Sequence, residues 1–171
     1  SEVAGVKEVE YLINGPESFA KRDLLIANAK KTIHVLTWSV YDDATGIKFA
    51  DQMIEKKKQG IDVKIMVDAL TAMKSGHNQQ LARMQQNGIE VIYSRNPGLM
   101  LSGQHRKAMI IDGEQVIAGG MNFGDVYSHL AGDVKWRDTD VYFSGSLGHS
   151  RPSAYVALLD FCHSMQSVGK K

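Results

Sequence analysis

The sequence predicts an α/β domain, an α-β-α sandwich built on a mixed, mainly parallel sheet. Short apolar runs that suit buried strands alternate with longer segments of helical periodicity. One pair of apolar runs is instead separated by Asp112-Gly113, a dipeptide typical of a two-residue hairpin turn. With 171 residues the chain has the size of a single domain, so residues 1–171 are predicted to fold as one unit.

Four strands and three helices are predicted before the hairpin. Their patterns place strands at 9–13, 32–38, 61–67 and 89–93, and helices at 17–29, 47–59 and 78–87. Asn14-Gly15-Pro16 predicts a turn, and Asp42 or Asp43 is available to cap the second helix. The first helix is expected to bury one apolar side, formed by Phe19, Leu24, Leu25 and Ile26.

The second helix ends in Lys56, Lys57 and Lys58, which are predicted to be a solvated face, with contact to anionic lipid or nucleic acid as the alternative. The loop at 94–103 carries an apolar cluster at 99–101. This cluster either packs beneath the sheet or forms a lip that meets acyl chains. After the hairpin, a strand at 137–144 and a final helix at 151–168 complete the predicted domain.

Composition narrows the class of protein. The formal net charge of +1 provides no strong basic field that would demand a nucleic-acid partner. A single cysteine excludes an internal disulfide and a cysteine-based zinc site. No apolar run approaches the roughly 20 residues that span a bilayer, and no signal peptide is visible. We expect a cytoplasmic protein or one held peripherally at a membrane surface, and the first residue, Ser1, indicates an excised fragment.

The stretch from Gln104 to Asn122 contains the residues best suited to chemistry. Its pattern is H-x-K-x4-D followed by GGxN, filled by His105, Lys107, Asp112, Gly119, Gly120 and Asn122. Histidine is the side chain best able to attack an electrophile or move a proton near neutral pH. Lysine brings a compact positive charge to phosphate oxygens. On a strand, His105 and Lys107 project from the same face, and the hairpin is expected to return Asn122 beside them.

This pattern resembles the signature of the phospholipase D superfamily, with every position filled. The segments NFGDVY (122–127) and WRDTDV (136–141) are similar to those that follow the signature in bacterial cardiolipin synthases. Upstream segments resemble the N-terminal catalytic half of the same enzymes, so the resemblance covers nearly the whole chain. It implies a phospholipase D-like fold and a reaction cycle that uses neither metal nor cofactor.

The chemistry of a phosphodiester assigns the expected roles. His105 can act as the nucleophile that forms a phosphohistidine, while Lys107 and Asn122 can bind the phosphate oxygens. The resemblance makes Asp138 the carboxylate that fixes an imidazole tautomer; the alternatives are an ion pair with Arg137 or a turn cap. Asp112 is expected to secure the hairpin turn instead of moving a proton. Two other histidines, His34 and His77, are predicted to be a packing residue and a helix-start or surface residue.

Family members carry two such motifs, whereas this chain has one. Either two copies pair as a homodimer or a second half has been removed, and the resemblance favours removal. The leading hypothesis is phosphatidyl transfer or phospholipid hydrolysis, with peripheral membrane contact. The alternatives are a homodimeric nuclease that acts on nucleic acid and a catalytically silent binding domain.

Overall fold

The computed structural model describes residues 6–95 and 107–145. His105, the apolar cluster at 99–101 and the predicted final helix at 151–168 lie outside the described residues. The strands are β1 Val6–Ile13, β2 Thr32–Leu36, β3 Asp62–Asp68, β4 Glu90–Ser94, β5 Lys107–Ile111, β6 Gln115–Gly119 and β7 Thr139–Gly145. The helices are α1 Asn14–Asn28, α2 Ala44–Lys58, α3 Gln79–Gln86 and α4 Asp125–Ser128, with a 3-10 turn at Thr71–Met73.

The strands form one seven-stranded mixed sheet in the order β1-β7-β6-β5-β2-β3-β4. The α/β class and the mixed sheet are confirmed, but parallel pairing does not dominate. Only β2–β3 and β3–β4 are parallel, while β1–β7, β7–β6, β6–β5 and β5–β2 are antiparallel. The alternation of strands and helices overestimated the amount of parallel pairing, because β1 does not pair with the strand that follows it. It lies at the far edge of the sheet beside β7.

Each face of the sheet carries its own apolar cluster. On β5, Met109 and Ile111 face the larger cluster, whereas Ala108 and Ile110 face the smaller one. The larger cluster includes residues from three helices: Leu25 and Ile26 of α1, Phe49 and Met53 of α2, and Leu81 and Met84 of α3. Helices α1, α2 and α3 therefore supply the layer on that face.

The start of α1 differs from the prediction. The helix begins at Asn14, directly after β1, so the expected turn at residues 14–16 is part of the helix. Asn14 has a φ of 64°, a left-handed conformation that Asn adopts more readily than most residues. Pro16 is tolerated because the first amides of a helix have no intrahelical acceptor. The strand therefore passes directly into the helix at Asn14.

The buried side of α1 is also more polar than predicted. Leu24 is 55% exposed, whereas Ser18 and Arg22 are buried together with Leu25 and Ile26. Apolar periodicity missed this arrangement because Arg22 forms an ion pair with a buried carboxylate of the sheet. A buried charge is accepted when such a partner is present.

Two polar predictions near α2 are resolved by the structure. Asp43 caps α2 by accepting a hydrogen bond from the amide of Gly46 at 3.0 Å, and Asp42 caps α3, where it accepts from Gln80 at 3.0 Å. Lys56 is not solvated as predicted. Its side chain is buried, and its Nζ donates to the carbonyl of Ala27 at 2.8 Å.

Candidate functional site

The candidate site lies at the end of the sheet where the parallel strands β2, β3 and β4 finish. Lys107 begins β5 at this end, because the antiparallel register pairs the following residue, Ala108, with Leu36 at the end of β2. In open α/β sheets, ligands gather outside the carboxyl ends of the strands. His105 precedes Lys107 by two residues and lies outside the described part of the chain, so the geometry below concerns its neighbours.

Lys107, Gly119 and Asp140 form a row across three neighbouring strands. Lys107 pairs with Gly119 on β6, and the β6–β7 register, which pairs Ala118 with Val141, places Gly119 level with Asp140. A Cβ atom on Gly119 would lie 1.9 Å from Oδ1 of Asp140. A Cβ on Gly120 would lie 2.6 Å from Oδ2 of Asp138. The two motif glycines thus each leave room for one carboxylate.

Burial and the neighbouring carboxylates have opposite effects on the pKa of the Lys107 ammonium group. Burial lowers its pKa below the ordinary value, whereas the carboxylates of Asp138 and Asp140 act to raise it. The lowered pKa shows that burial outweighs the attraction of the two carboxylates. A half-buried cation of this kind suits an anionic ligand, which would add the negative charge that favours the protonated amine.

The backbone of Asp138 is held by the first residue of α1. The amide of Asn14 donates to the Asp138 carbonyl at 2.8 Å, and the Asp138 amide donates to Oδ1 of Asn14 at 3.2 Å. The Asp138 carboxylate accepts a hydrogen bond from the amide of Thr139 at 2.7 Å. Its other oxygen, Oδ2, faces Gly120. Within the described ranges, no ion pair joins Asp138 to Arg137, the alternative role considered from the sequence.

Asn122 is buried and its amide group holds the loop that follows β2. Oδ1 accepts hydrogen bonds from the amides of Trp38 and Ser39, both at 3.0 Å, and from the Thr37 hydroxyl at 3.2 Å. Nδ2 donates to the hydroxyl of Tyr127 at 3.1 Å. The side chain therefore joins the end of the hairpin to the end of β2, and its one described donor contact is with a tyrosine.

Ser39 and His77 form a pair that the sequence did not reveal. Oγ of Ser39 lies 2.6 Å from Nδ1 of His77, and the His77 ring packs edge-on against Tyr41 at 4.7 Å. Burial, together with the hydrogen bond and charge of Tyr127, raises the pKa of Tyr41 to about 12. The prediction that His77 precedes a helix is correct, since α3 begins at Gln79. Its serine partner lies 38 residues away, and no local pattern signals such a contact.

Asp112 lies at the opposite end of β5 from Lys107. Five residue-to-residue steps along the strand separate them by roughly 17 Å. The Asp112 carboxylate accepts hydrogen bonds from the amides of Lys30, Lys31 and Thr32 at 2.6 to 3.1 Å. Burial raises its pKa, but these hydrogen bonds and the charge of Lys31 outweigh burial, so the pKa lies below its ordinary value. Asp112 therefore binds the hairpin turn to the α1–β2 connection.

The turn itself has the geometry that Asp-Gly predicts. Asp112 and Gly113 have φ values of 55° and 71°, and the amide of Glu114 donates to the carbonyl of Ile111 at 3.1 Å.

His34 is also remote from the site, since its Nε2 lies 3.0 Å from Oδ2 of Asp62 at the start of β3. No group of three or more potential metal-ligating His, Cys, Asp or Glu side chains occurs among residues 6–95 and 107–145.

The sheet, its helices and the motif together define a phospholipase D-like domain. A family model described as the phospholipase D-like domain of cardiolipin synthase matches residues 24–136. This match covers more than half of the chain, so the chain belongs to that family.

Several bacterial cardiolipin synthases are similar in sequence. Cardiolipin synthase 2 from Bacillus anthracis is 34% identical over 147 residues, covering 81% of this chain and 28% of the relative. The major cardiolipin synthase ClsA from Bacillus subtilis is 29% identical over 155 residues, covering 86% of this chain and 32% of the relative. The chain thus spans about a third of the length of these relatives.

Solved structures share the fold. Nuc from Salmonella typhimurium, a phospholipase D family member, superposes with a TM-score of 0.63 at 23% identity and covers 94% of this chain and 95% of its own. Phosphatidylserine synthase from Haemophilus influenzae gives a TM-score of 0.68 at 18% identity, covering 95% of this chain and 44% of its own. At these identities the comparison establishes the fold alone.

Proposed function

We propose that this domain is one catalytic half of an enzyme that transfers or hydrolyses phosphatidyl groups through a phosphohistidine intermediate, without a metal ion. The observation that carries this proposal is Lys107, a half-buried cation at the site end of the sheet, two residues from His105 in a chain of the cardiolipin synthase family. This arrangement supports binding of a phosphodiester beside an imidazole.

In the proposed reaction, one ring nitrogen of His105 attacks the phosphorus of the phosphatidyl group. A phosphorus–nitrogen bond forms as the bond to the first alcohol breaks, and a second histidine donates the proton that this alcohol needs. A second alcohol or water then loses its proton to the same histidine and displaces His105. Lys107 balances the negative charge on the phosphate oxygens throughout both steps.

In this proposal the second histidine comes from another domain, because the H-x-K pattern occurs once in this sequence. The relatives are about three times as long as this chain, which supports a second half in the same polypeptide. A homodimer of this domain is the alternative source. In this proposal Asp138 orients one of the two imidazoles, and Asn122 serves the phosphate by fixing the loop after β2 or through its amide nitrogen.

Exposed apolar side chains support contact between the site end of the sheet and a lipid surface. Leu70 and Met73 lie in the loop after β3, and Leu130, Val134 and Trp136 lie before β7. Each of these side chains is about half exposed or more. Within the described ranges, no helix is both long enough and apolar enough to cross a bilayer. The proposed membrane contact is therefore peripheral for this part of the chain.

A nucleic-acid substrate is the alternative. It is compatible with the fold, because Salmonella Nuc aligns over 94% of this chain and 95% of its own. In that case a homodimer would supply both histidines. DNA cleavage by the purified dimer at low salt in the presence of EDTA would favour this alternative over lipid chemistry.

The direct test uses the full-length protein with vesicles that contain phosphatidylglycerol, in the presence of EDTA. We expect glycerol release, and we expect His105→Ala to abolish both the release and the formation of an acid-labile, base-stable phosphoprotein. His34→Gln is the matched control, because the His34 ring pairs with Asp62 at the start of β3, at the end of the sheet opposite to the site. It should retain activity.

The outcomes separate the candidates. Glycerol release that depends on His105 and survives EDTA supports the proposal. Activity that EDTA removes contradicts metal independence. A folded full-length protein that turns over neither phospholipid nor DNA, and traps no phosphate on histidine, would indicate a catalytically silent binding domain.

A further inference from the structure

Asp140 is a fully buried carboxylate in the row that contains Lys107. One of its oxygens, Oδ2, accepts a hydrogen bond from the Ser18 hydroxyl at 2.5 Å and another from Nη2 of Arg22 at 2.9 Å. The Arg22 guanidinium in turn lies over the rings of Phe19 and Phe123. Helix α1 therefore holds one side of this carboxylate in a fixed position.

The other oxygen of Asp140 faces the motif. Oδ1 accepts no hydrogen bond in the part of the chain that the structure describes. It occupies the space above Gly119, where the Cβ atom of any other residue would lie only 1.9 Å from Oδ1. Gly119 is the cross-strand partner of Lys107, so this oxygen lies on the side of Asp140 that points along the row towards Lys107. A buried oxygen with an unused lone pair is rare enough to require a reason.

We propose that Asp140, held by Ser18 and Arg22 of α1, is a positioning residue that acts through the side-chain gap at Gly119 to keep Lys107 in place and protonated for phosphate binding. The assignment rests on the proposed function, because it takes Lys107 to be the group that binds phosphate. It goes further by giving a role to a carboxylate outside the H-x-K-x4-D and GGxN pattern, and to a polar cluster on the first helix.

Electrostatics explains why the site would need this residue. Burial favours the neutral amine of Lys107, and a neutral amine would lose most of its attraction for phosphate. The carboxylates of Asp138 and Asp140 both oppose this effect, Asp138 more than Asp140, and such attraction is strong in surroundings of low dielectric constant. Arg22 offsets the cost of burying Asp140, and its hydrogen bond is made to Oδ2, on the side away from Gly119. The arrangement alternates in sign: Arg22 positive, Asp140 negative, Lys107 positive.

The test measures the titration of Lys107 itself. Lysines of the full-length protein are methylated with ¹³C-formaldehyde, and the Lys107 resonance is identified by its loss in Lys107→Arg. In Asp140→Asn, we expect the pKa of Lys107 to fall below the wild-type value, because a stabilising negative charge is removed. The alkaline limb of kcat/KM should move to lower pH, and kcat/KM at neutral pH should fall about tenfold to a hundredfold.

Ser18→Ala is the matched control. It removes one hydrogen bond from the same buried cluster but leaves the charge of Asp140 in place. It should lower the melting temperature without lowering the pKa of Lys107. If Asp140→Asn does not fold because Arg22 is left unpaired, the double variant Arg22→Met with Asp140→Asn removes both charges. A fall in the Lys107 pKa is expected there too, smaller than in Asp140→Asn because a repelling positive charge is removed as well.

The sign of the shift decides the question. If Asp140 were only a packing element, its loss would loosen the cluster and hydrate Lys107, so the pKa would stay unchanged or rise towards the ordinary value. Either result in a folded variant overturns the assignment. If the pKa falls as expected but the wild-type protein cleaves no phosphodiester, the coupling of Asp140 to Lys107 stands and the proposed function fails.

Discussion

The Oδ1 atom of Asp140 lies 1.9 Å from the position that a Cβ on Gly119 would occupy. Asp140 is fully buried and paired with Arg22, so it cannot move aside without breaking that ion pair. By contrast, the carboxylate of Asp138 beside Gly120 is only half-buried, and its contact with a new Cβ would be 2.6 Å. The two adjacent glycines therefore differ in how much an added methyl group would disturb.

Alanine at each motif glycine should reveal this difference. We expect Gly119→Ala to destabilise the fold by about 3 kcal/mol and Gly120→Ala by about 1 kcal/mol, because overpacking costs more where the neighbour is fixed. Urea unfolding of the two variants measures the difference. Equal losses, or a larger loss in Gly120→Ala, would contradict the structural relationship between Gly119 and Asp140.

Asp112→Asn should remove a pH-dependent part of the stability. The folded-state pKa of Asp112 is lowered, so its carboxylate stabilises the fold fully above the unfolded-state pKa of about 4. This contribution disappears as the pH falls through the lower folded-state pKa. Loss of charged hydrogen bonds to Lys30, Lys31 and Thr32 should cost about 2 kcal/mol at pH 7.

The measurement is urea unfolding of wild type and Asp112→Asn between pH 7 and pH 2. Asparagine tolerates the positive φ of this position, so the turn backbone should be retained. The difference between the two proteins should shrink at acidic pH. A difference that stays constant with pH would show that the charge of Asp112 does not contribute.

Substitutions of Asn122 can separate loop positioning from phosphate binding. Asn122→Ala leaves the amides of Trp38 and Ser39 without their acceptor, so stability should fall by about 2 to 4 kcal/mol and activity should fall with it. Asn122→Asp keeps an acceptor for those amides but removes the donor nitrogen and adds a negative charge. If the amide nitrogen serves the phosphate, Asn122→Asp should lose activity while retaining more stability than Asn122→Ala.

Tyr127→Phe provides the control for the same amide, since it removes only the hydroxyl that accepts from Nδ2 of Asn122. It should leave phosphodiester cleavage within about threefold of wild type, because no charge or backbone contact is lost. Activity that falls equally in Tyr127→Phe and Asn122→Asp would point to positioning through Tyr127 and away from direct phosphate contact.

Membrane contact predicts that apolar side chains before β7 contribute to vesicle binding. Leu130→Ser with Val134→Ser removes two exposed apolar groups at the site end of the sheet, and vesicle affinity should fall about tenfold. Leu24→Ser is matched in exposure but lies on α1, away from that end. Co-sedimentation with anionic vesicles measures both variants. Equal loss in the two would argue against an oriented contact.

Short-range patterns in the sequence were enough to determine most of the secondary structure and the hairpin turn within the motif. Helix α2 buries Phe49, Ala50, Met53 and Ile54 as its periodicity indicates, and Asp112-Gly113 forms the turn that its composition favours. These features depend on residues within a few positions of one another, which is why a pattern is enough to predict them. The α/β class follows from the same alternation.

Tertiary structure alone decided which distant residues meet. The sequence does not indicate that β1 crosses to the far edge of the sheet, that Ser39 pairs with His77, or that Arg22 on the first helix pairs with Asp140 near the end of the described chain. Each of these contacts joins segments 38 to more than 100 residues apart. Their geometry depends on how strands align and helices pack, and this is set by burial of the whole core and not by local propensity.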